Sequence, residues 1–515
     1  PFLADTVRID AVIGRLAGPL TMKGVMVETE TFRLELGKID LDWRPSRLFR
    51  LLLDFDQIKV EGLHYTQLKV TKPQKEERSE PIALPEKIVF LLDLRLGNVS
   101  LRDFEFRSLP DSAPLIIDSA LLEAALSRRQ LVISTLKVSA PLLAVEGDVR
   151  LTTNQDYLLN GELRWNVPLP DYPSLIGKTV LQGSLHSLTL NQSIAEPYNV
   201  EAVVHLRNLI NNLTFDATLD MMPLDLKTLN ADLPPITLQL GVTGKGSPDD
   251  MVVNMKSWLE APELGRLNSS LTGGLKGKTF ILDEFKVTVP EQPGQVTFNG
   301  QVEMAEEQNL DFTANWQHLQ WPLEGNPSII SPAGFLKLSG TVQNLHASLD
   351  TAVGKTGRIQ GKVERQEKDI DVALDWSDIQ WPVQDPQFES PEGHIAAAGK
   401  IEDYALAISA NLAVPEQTAA ELQLKGRGSL EALEFSGIDI RALGGRLEGN
   451  ARVAWKPELQ STVSIEGQGF NPGEIMKDWP GKLGISLQAQ GGMHDKQPSL
   501  QLQQLQIQGE LRGHE

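Results

Sequence analysis

Three Gly-Lys-Thr triplets, beginning at Gly177, Gly277 and Gly354, come closest to a phosphate-binding chemistry. A phosphate loop wraps backbone N–H groups around the anion and needs a glycine five residues earlier. Those positions hold Tyr172, Thr272 and Leu349, so the triplets read as turns between strands. The eight histidines are scattered, with no His-Glu-x-x-His and no pair at metal-ligand spacing. There is no Gly-x-Ser-x-Gly elbow to expose a nucleophilic serine. Acidic pairs such as Asp249-Asp250 and Glu306-Glu307 fall in polar turns, where solvated surface is the ordinary role. The absence of cysteine excludes disulfides, thiolate chemistry and Cys-ligated zinc. The expectation is a protein that is not an enzyme and carries no metal or cofactor.

The elements that would hold any site are strands. Apolar alternation at period two dominates, as in Phe32, Leu34 and Leu36 or in Ile370, Val372, Leu374 and Trp376. Leu336 and Leu338 belong to another such run. One motif recurs: apolar-x-apolar, two spacers, apolar-x-apolar. It is present as Leu34/Leu36/Ile39/Leu41, Ile58/Val60/Leu63/Tyr65 and Leu94/Leu96/Val99/Leu101. It returns as Leu131/Ile133/Leu136/Val138, Phe280/Leu282/Phe285/Val287, Leu433/Phe435/Ile438/Ile440 and Leu500/Leu502/Leu505/Ile507. A step of three moves a side chain to the other face of a regular strand, and a β-bulge restores the face while bending the strand. Seven bulged strands predict a sheet that curls repeatedly; two short strands joined by a turn are the plainer alternative. Helix is minor: Asn471-Pro472-Gly473-Glu474 with Ile475-Met476 reads as a capped short helix, and Pro45 to Phe49 as another.

Repeats organise the chain. Leu319-Gln320-Trp321-Pro322 returns 60 residues later as Ile379-Gln380-Trp381-Pro382. Each is followed by Ser-Pro-x-Gly (Ser331 to Gly334, Ser390 to Gly393) and a strand reaching Gly340 or Gly399. Trp479-Pro480 is a third echo. Such Trp-Pro pairs could be substrate platforms, but repetition favours structural corners. Gly147, Gly300 and Gly449 are 153 and 149 residues apart, and Gly183, Gly340 and Gly491 are 157 and 151 apart, which suggests a unit of about 150 residues. The expected organisation is an N-terminal β segment (1–70), a charged linker or loop (71–87) and a continuous array (88–515), with repeats near 120–270, 271–421 and 422–515, the last truncated. Roughly 30 strands are expected in an all-β fold.

A net charge of −20 argues against a nucleic-acid partner and against tight docking of this segment on an anionic bilayer surface. No run of about 18 apolar residues could span a membrane as a helix, and no signal peptide is visible. Pro1-Phe2-Leu3 opens without an initiator Met, and the other end stops in a strand-like run, so a piece of a longer chain is expected. The apolar side of so many strands far exceeds the few hundred Å² a monomer leaves bare. A second layer, a closed β-helix interior, a partner or lipid could cover it; the residues alone leave all four open.

The stretch Gly14-Arg15-Leu16-Ala17-Gly18-Pro19-Leu20-Thr21-Met22-Lys23-Gly24-Val25 resembles the start of the periplasmic region of the TamB family and its AsmA-like relatives. It is followed by the Trp43-x-Pro45-x-x-Leu48 corner and the strand Ile58-Lys59-Val60-Glu61-Gly62, with the likeness best over residues 1–110. The resemblance implies an elongated repeating β-groove, a U-shaped, twisted, single-layer sheet with short helices and loops between repeats. It implies a periplasmic bridge-like carrier of phospholipid acyl chains in a Gram-negative bacterium, held in the inner membrane by an anchor outside this segment. The implied partner is the outer-membrane barrel protein TamA. With that reading, the motif residues above, with Leu336, Leu338, Val372 and Leu374, would line the groove. The alternatives are a scaffold or chaperone for outer-membrane protein and autotransporter assembly, and a closed structural β-solenoid.

Overall fold

Alternating apolar and polar residues make strands almost everywhere in this chain. The computed structural model describes residues 7–29, 31–68, 90–109, 112–154, 157–262, 264–304, 308–323, 325–414, 419–456, 458–494 and 497–514. The charged 71–87 segment and Glu306-Glu307 lie outside these residues. The chain divides into two units, 1–257 and 258–515.

The first unit contains β1 (Val7–Gly14), β2 (Leu20–Glu28), β3 (Phe32–Trp43), β4 (Leu52–Gln67), β5 (Asp93–Arg107), β6 (Leu115–Leu126) and β7 (Gln130–Ala140). It continues with β8 (Leu143–Thr152), β9 (Leu158–Leu169), β10 (Tyr172–Ser184), β11 (Ser187–Ile194), β12 (Val200–Arg207), β13 (Thr214–Asp225) and β14 (Thr237–Gly246). The division falls within β15 (Asp250–Ala261). The second unit begins with β16 (Gly265–Lys276), β17 (Thr279–Thr288), β18 (Gln295–Glu303), β19 (Asn309–Trp321), β20 (Ile329–Thr341), β21 (Asn344–Val353), β22 (Gly357–Gln366) and β23 (Asp369–Trp381). It ends with β24 (Phe388–Lys400), β25 (Asp403–Ala413), β26 (Ala420–Gly428), β27 (Ala432–Ala442), β28 (Gly445–Ala454), β29 (Gln460–Phe470), β30 (Gly481–His494) and β31 (Gln497–Leu511). Three 3-10 turns are the described helix; Pro45–Arg50 and Pro472–Glu474 stand where short helices are predicted, the latter capped by Asn471 accepting from the Gly473 amide.

Within each unit, strands pair in chain order. All pairs from β1 to β14 and from β16 to β31 are antiparallel except β4–β5, which is parallel. Antiparallel neighbours rule out a solenoid, whose coils stack in parallel, and the sheet does not close into a barrel. Each unit is an all-β, bulged, open sheet.

All seven step-of-three motifs lie within single strands, so the two-strand alternative fails. Five are bulges: Leu96 and Val99 oppose Ala124 and Leu122, which are only two apart. β7, β17, β27 and β31 repeat this against β8, β18, β28 and β30. In β3 and β4 the bulge expectation is corrected. Leu36 and Ile39 pair with Leu63 and Val60, so both strands step by three in register. The step is a shared crease through Gly24, Gly37, Gly62 and Asp103, three of which adopt left-handed φ. Two further sequence readings change. Gly177-Lys178-Thr179 is inside β10 rather than in a turn, while the Gly277 and Gly354 triplets do form turns. Trp321 and Trp381 end their strands before a cis proline, whereas Trp479 precedes β30 and lies under Arg512, so it is a different corner.

Charge is confined mainly to the outer face. Arg358 Nε donates to Asp350 Oδ1 at 2.8 Å, and Arg446 Nε to Asp439 Oδ1 at 2.9 Å. The Arg358 hydrogen bonds, helped by Gln360, hold the Asp350 carboxyl at about 2, below its ordinary 3.8. A depressed carboxylate stabilises the fold fully above its unfolded value and loses that contribution as pH falls through the folded one. Arg358→Gln is therefore expected to raise the Asp350 titration midpoint toward 3.8 and to weaken β21–β22 protection at neutral pH more than at pH about 2. Carboxyl NMR titration with hydrogen exchange reads both; an unmoved midpoint contradicts the pairing.

One carboxylate of these ion pairs is buried. Asp54 at the start of β4 is fully buried. Arg95 Nη1 donates to its Oδ1 at 3.0 Å, and Arg47 Nε lies 3.0 Å from Oδ2 but off the hydrogen-bonding direction. Asp56 beside it pairs with Arg44. These ions tie the Pro45–Arg50 turn to the parallel β4–β5 pair.

Candidate functional site

The candidate site is the apolar face, traced strand by strand through register, because directly paired residues share a face. In the first unit Val12, Met22, Ile39, Val60, Leu101, Ala120, Val138, Val145 and Trp165 form one unbroken row across β1 to β9. The parallel row through Leu41, Ile58, Val99, Leu122 and Leu136 runs beside it. The face continues through Leu181, Leu190, Val204, Ala217 and Gly244 to β14. In the second unit Phe285, Phe298, Ala314, Leu336 and Leu349 are successive partners. Val363, Val372, Ala397, Leu406, Gly426, Phe435 and Ala451 form another row, and Ile465, Leu487 and Leu505 carry the face to β31.

Each residue expected to line a groove pairs across the sheet with an apolar residue or a glycine. Leu34 pairs with Tyr65, and Leu94 pairs with Leu126, which pairs with Leu131; Ile133 pairs with Val149. Phe280, Leu282 and Val287 pair with Val302, Gly300 and Val296, Leu338 with Phe312, and Leu374 with Ile395. Leu433 and Ile440 pair with Val453 and Leu447, and Leu502 and Ile507 with Ala489 and Ile485. In the five bulged strands the extra residue keeps the face: without it each step of three would turn half a strand's side chains outward.

The face is not packed. Burial alternates half-buried and exposed along strands such as Val200–Arg207 and Gly357–Gln366. Among the described residues only seven apolar side chains are buried, and four of them are alanines. The chain exposes 33305 Å² of surface. Two compact globules of half its mass would together expose about 22,000 Å². The excess is the signature of single layers whose apolar side has no second layer against it.

Polar atoms on the face are consumed locally. Trp316 Nε1 donates to Ser331 Oγ at 2.8 Å, and Trp376 Nε1 to Ser390 Oγ at 2.7 Å. The indoles lie over Gly334 and Gly393, where an added Cβ would stand 2.5 and 2.0 Å from ring atoms. Trp165 repeats the arrangement over Gly177 and donates to Thr179 Oγ1 at 3.1 Å. This explains Ser-Pro-x-Gly in the 60-residue repeat: the serine accepts the indole proton and the glycine makes room for the ring. In the sequence Trp376 counts only as an apolar residue of an alternating run and Trp316 is not singled out, although Trp-x-x-x-x-Trp-Pro occurs at both. The face of β11 to β14 was missed too, because those strands alternate regularly and lack the step of three. Gly147, Gly300 and Gly449 each pair with a residue of the three-residue step on β7, β17 or β27, which gives that spacing a physical origin.

Among the described residues no cluster of His, Asp and Glu could hold a metal ion, and no helix is long and apolar enough to cross a membrane. What the face offers is a non-directional apolar surface.

The family model described as "TamB, N-terminal domain" matches residues 65–307 and 356–515. The Gly14 to Gly62 motifs that suggested the likeness lie before the matched residues. The chain belongs to the TamB family, a non-enzymatic family of the Gram-negative cell envelope.

Proposed function

We propose that the apolar face carries phospholipid acyl chains through the periplasm between the inner and outer membranes, with headgroups in water, in support of outer-membrane biogenesis. The observation that carries this reading is the bare, half-exposed aliphatic face that each unit maintains from strand to strand. Acyl chains satisfy such a face without directional bonds. The lining is chiefly Leu, Val, Ile and Ala, and its few polar atoms are engaged by neighbouring side chains. No single position is then a strong trap, which is what sliding requires. TamA at the outer membrane and an inner-membrane anchor complete the path in this reading.

Native mass spectrometry of the purified chain, with lipid extraction alongside, tests it. Bound phospholipid released only under apolar extraction is the expected result. A lipid-free chain with an unchanged β-sheet spectrum contradicts it.

A further inference from the structure

Several chain segments converge on one rim of the first unit. β1, β3 and β6 end there, and β2, β4, β5 and β7 begin there. The parallel pairing of β4 with β5 is what brings the start of β5 to this side. The 15–19 turn, the Pro45–Arg50 turn and Leu91-Leu92 are therefore neighbours. Trp43 Nε1 donates to the Leu16 carbonyl at 2.9 Å, and the Asp93 amide donates to the Leu51 carbonyl at 2.8 Å.

These tips leave large apolar side chains in solvent. Phe49 is 94% exposed, Leu91 86% and Leu16 81%. They stand on three separate connecting segments. The same rim is basic in a chain whose net charge is −20. Arg44, Arg47 and Arg95 are used on Asp54 and Asp56. Arg15 and Arg50, with Arg128 and Arg129 in the β6–β7 turn, have no carboxylate partner among the described residues. At the opposite rim of these strands Arg33 and Arg107 each sit on a glutamate, Glu28 and Glu105.

We propose that this rim docks on an anionic phospholipid bilayer, with Phe49, Leu16 and Leu91 entering the headgroup layer and the unpaired arginines contacting phosphates. Guanidinium groups match phosphate oxygens two at a time, and apolar side chains beside them gain by leaving water at the acyl boundary. Separate segments suit a fluid surface, which closes around each. Two copies meeting rim to rim would oppose like charges. The acidic remainder of the chain turns this rim toward the membrane by repulsion from the same surface. The total charge therefore misjudges bilayer docking, because the basic groups are gathered at one rim. The inference stands apart from what the apolar face carries.

Flotation of the purified chain with vesicles of phosphatidylcholine, with and without phosphatidylglycerol, tests it. Binding is expected only with phosphatidylglycerol and should weaken with salt. Arg15→Glu, Arg50→Glu and Arg129→Glu should each weaken it by about five-fold or more. Phe49→Asp should weaken it by about ten-fold or more. Leu142→Asp at the opposite rim should bind as the parent does. Circular dichroism of each variant should match the parent, since the altered side chains are exposed. No phosphatidylglycerol-dependent binding, or parental binding by the folded rim variants, overturns the proposal. Leu282→Asp should retain vesicle binding. A chain that binds vesicles but carries no phospholipid would overturn the carrier reading alone.

Discussion

Leu282→Asp or Leu338→Arg is expected to slow phospholipid passage by roughly a hundred-fold while the strands stay folded. Both side chains lie on the apolar face of the second unit, on β17 and β20. Leu282 faces Gly300, and Leu338 faces Phe312 and Ala347. An acyl chain sliding past would meet an ion in place of a methyl group. A charge in hydrocarbon costs about 2.5–3.5 kcal/mol on insertion scales, which is roughly two orders of magnitude in a rate. The cost to folding is small because the face is half-exposed: a new carboxylate or guanidinium keeps water while no lipid is present. Transfer of labelled phospholipid between donor and acceptor vesicles reads the effect, with circular dichroism as the folding control. Lys286→Asp and Lys337→Asp, on the outer face of the same strands, should transfer normally. Normal transfer by Leu282→Asp would remove the groove from the mechanism.

Gly340→Val is the largest stability change expected. Gly340 leads into the β20–β21 turn with φ at +109°, a region that side-chain-bearing residues rarely adopt. An added Cβ would stand 2.1 Å from the Asn344 carbonyl oxygen, a backbone atom that cannot move without opening the hairpin. Backbone strain and the clash together should cost about 3 kcal/mol or more. In a chain-order sheet each strand is held by two neighbours, so the damage should stay local. Hydrogen exchange of β20 and β21 should accelerate by about a hundred-fold or more, while β27 to β29 remain protected. Uniform acceleration throughout the unit would show one cooperative core, contrary to a layer without a second sheet.

What the sequence made legible follows from local rules. Period-two alternation in Phe32–Trp43 or Asp369–Trp381 is strand whatever surrounds it, and the step of three at Leu96/Val99 has only a few physical solutions. Glycine spacing proved informative because Gly147, Gly300 and Gly449 sit against such steps. Pairing partners were not legible. The crease through Gly24, Gly37 and Gly62 needs four strands in register, and no window on one strand reveals it. The parallel β4–β5 pair was equally hidden, since Leu52–Gln67 and Asp93–Arg107 alternate alike whichever way they run. The role of Trp316 and Trp376 depended on knowing that Gly334 and Gly393 stand opposite. Total charge likewise averaged away a basic rim assembled from three turns far apart in sequence.

The most direct test of the carrier reading is photo-crosslinking in the intact envelope with a benzophenone amino acid placed face by face. At Leu136, Leu282 and Ile438 on the apolar face, phospholipid adducts are expected. At Lys137, Lys286 and Asp439, on the outer face of the same strands, none is expected. Equal labelling on both faces, or protein adducts in place of lipid on the apolar face, contradicts the account.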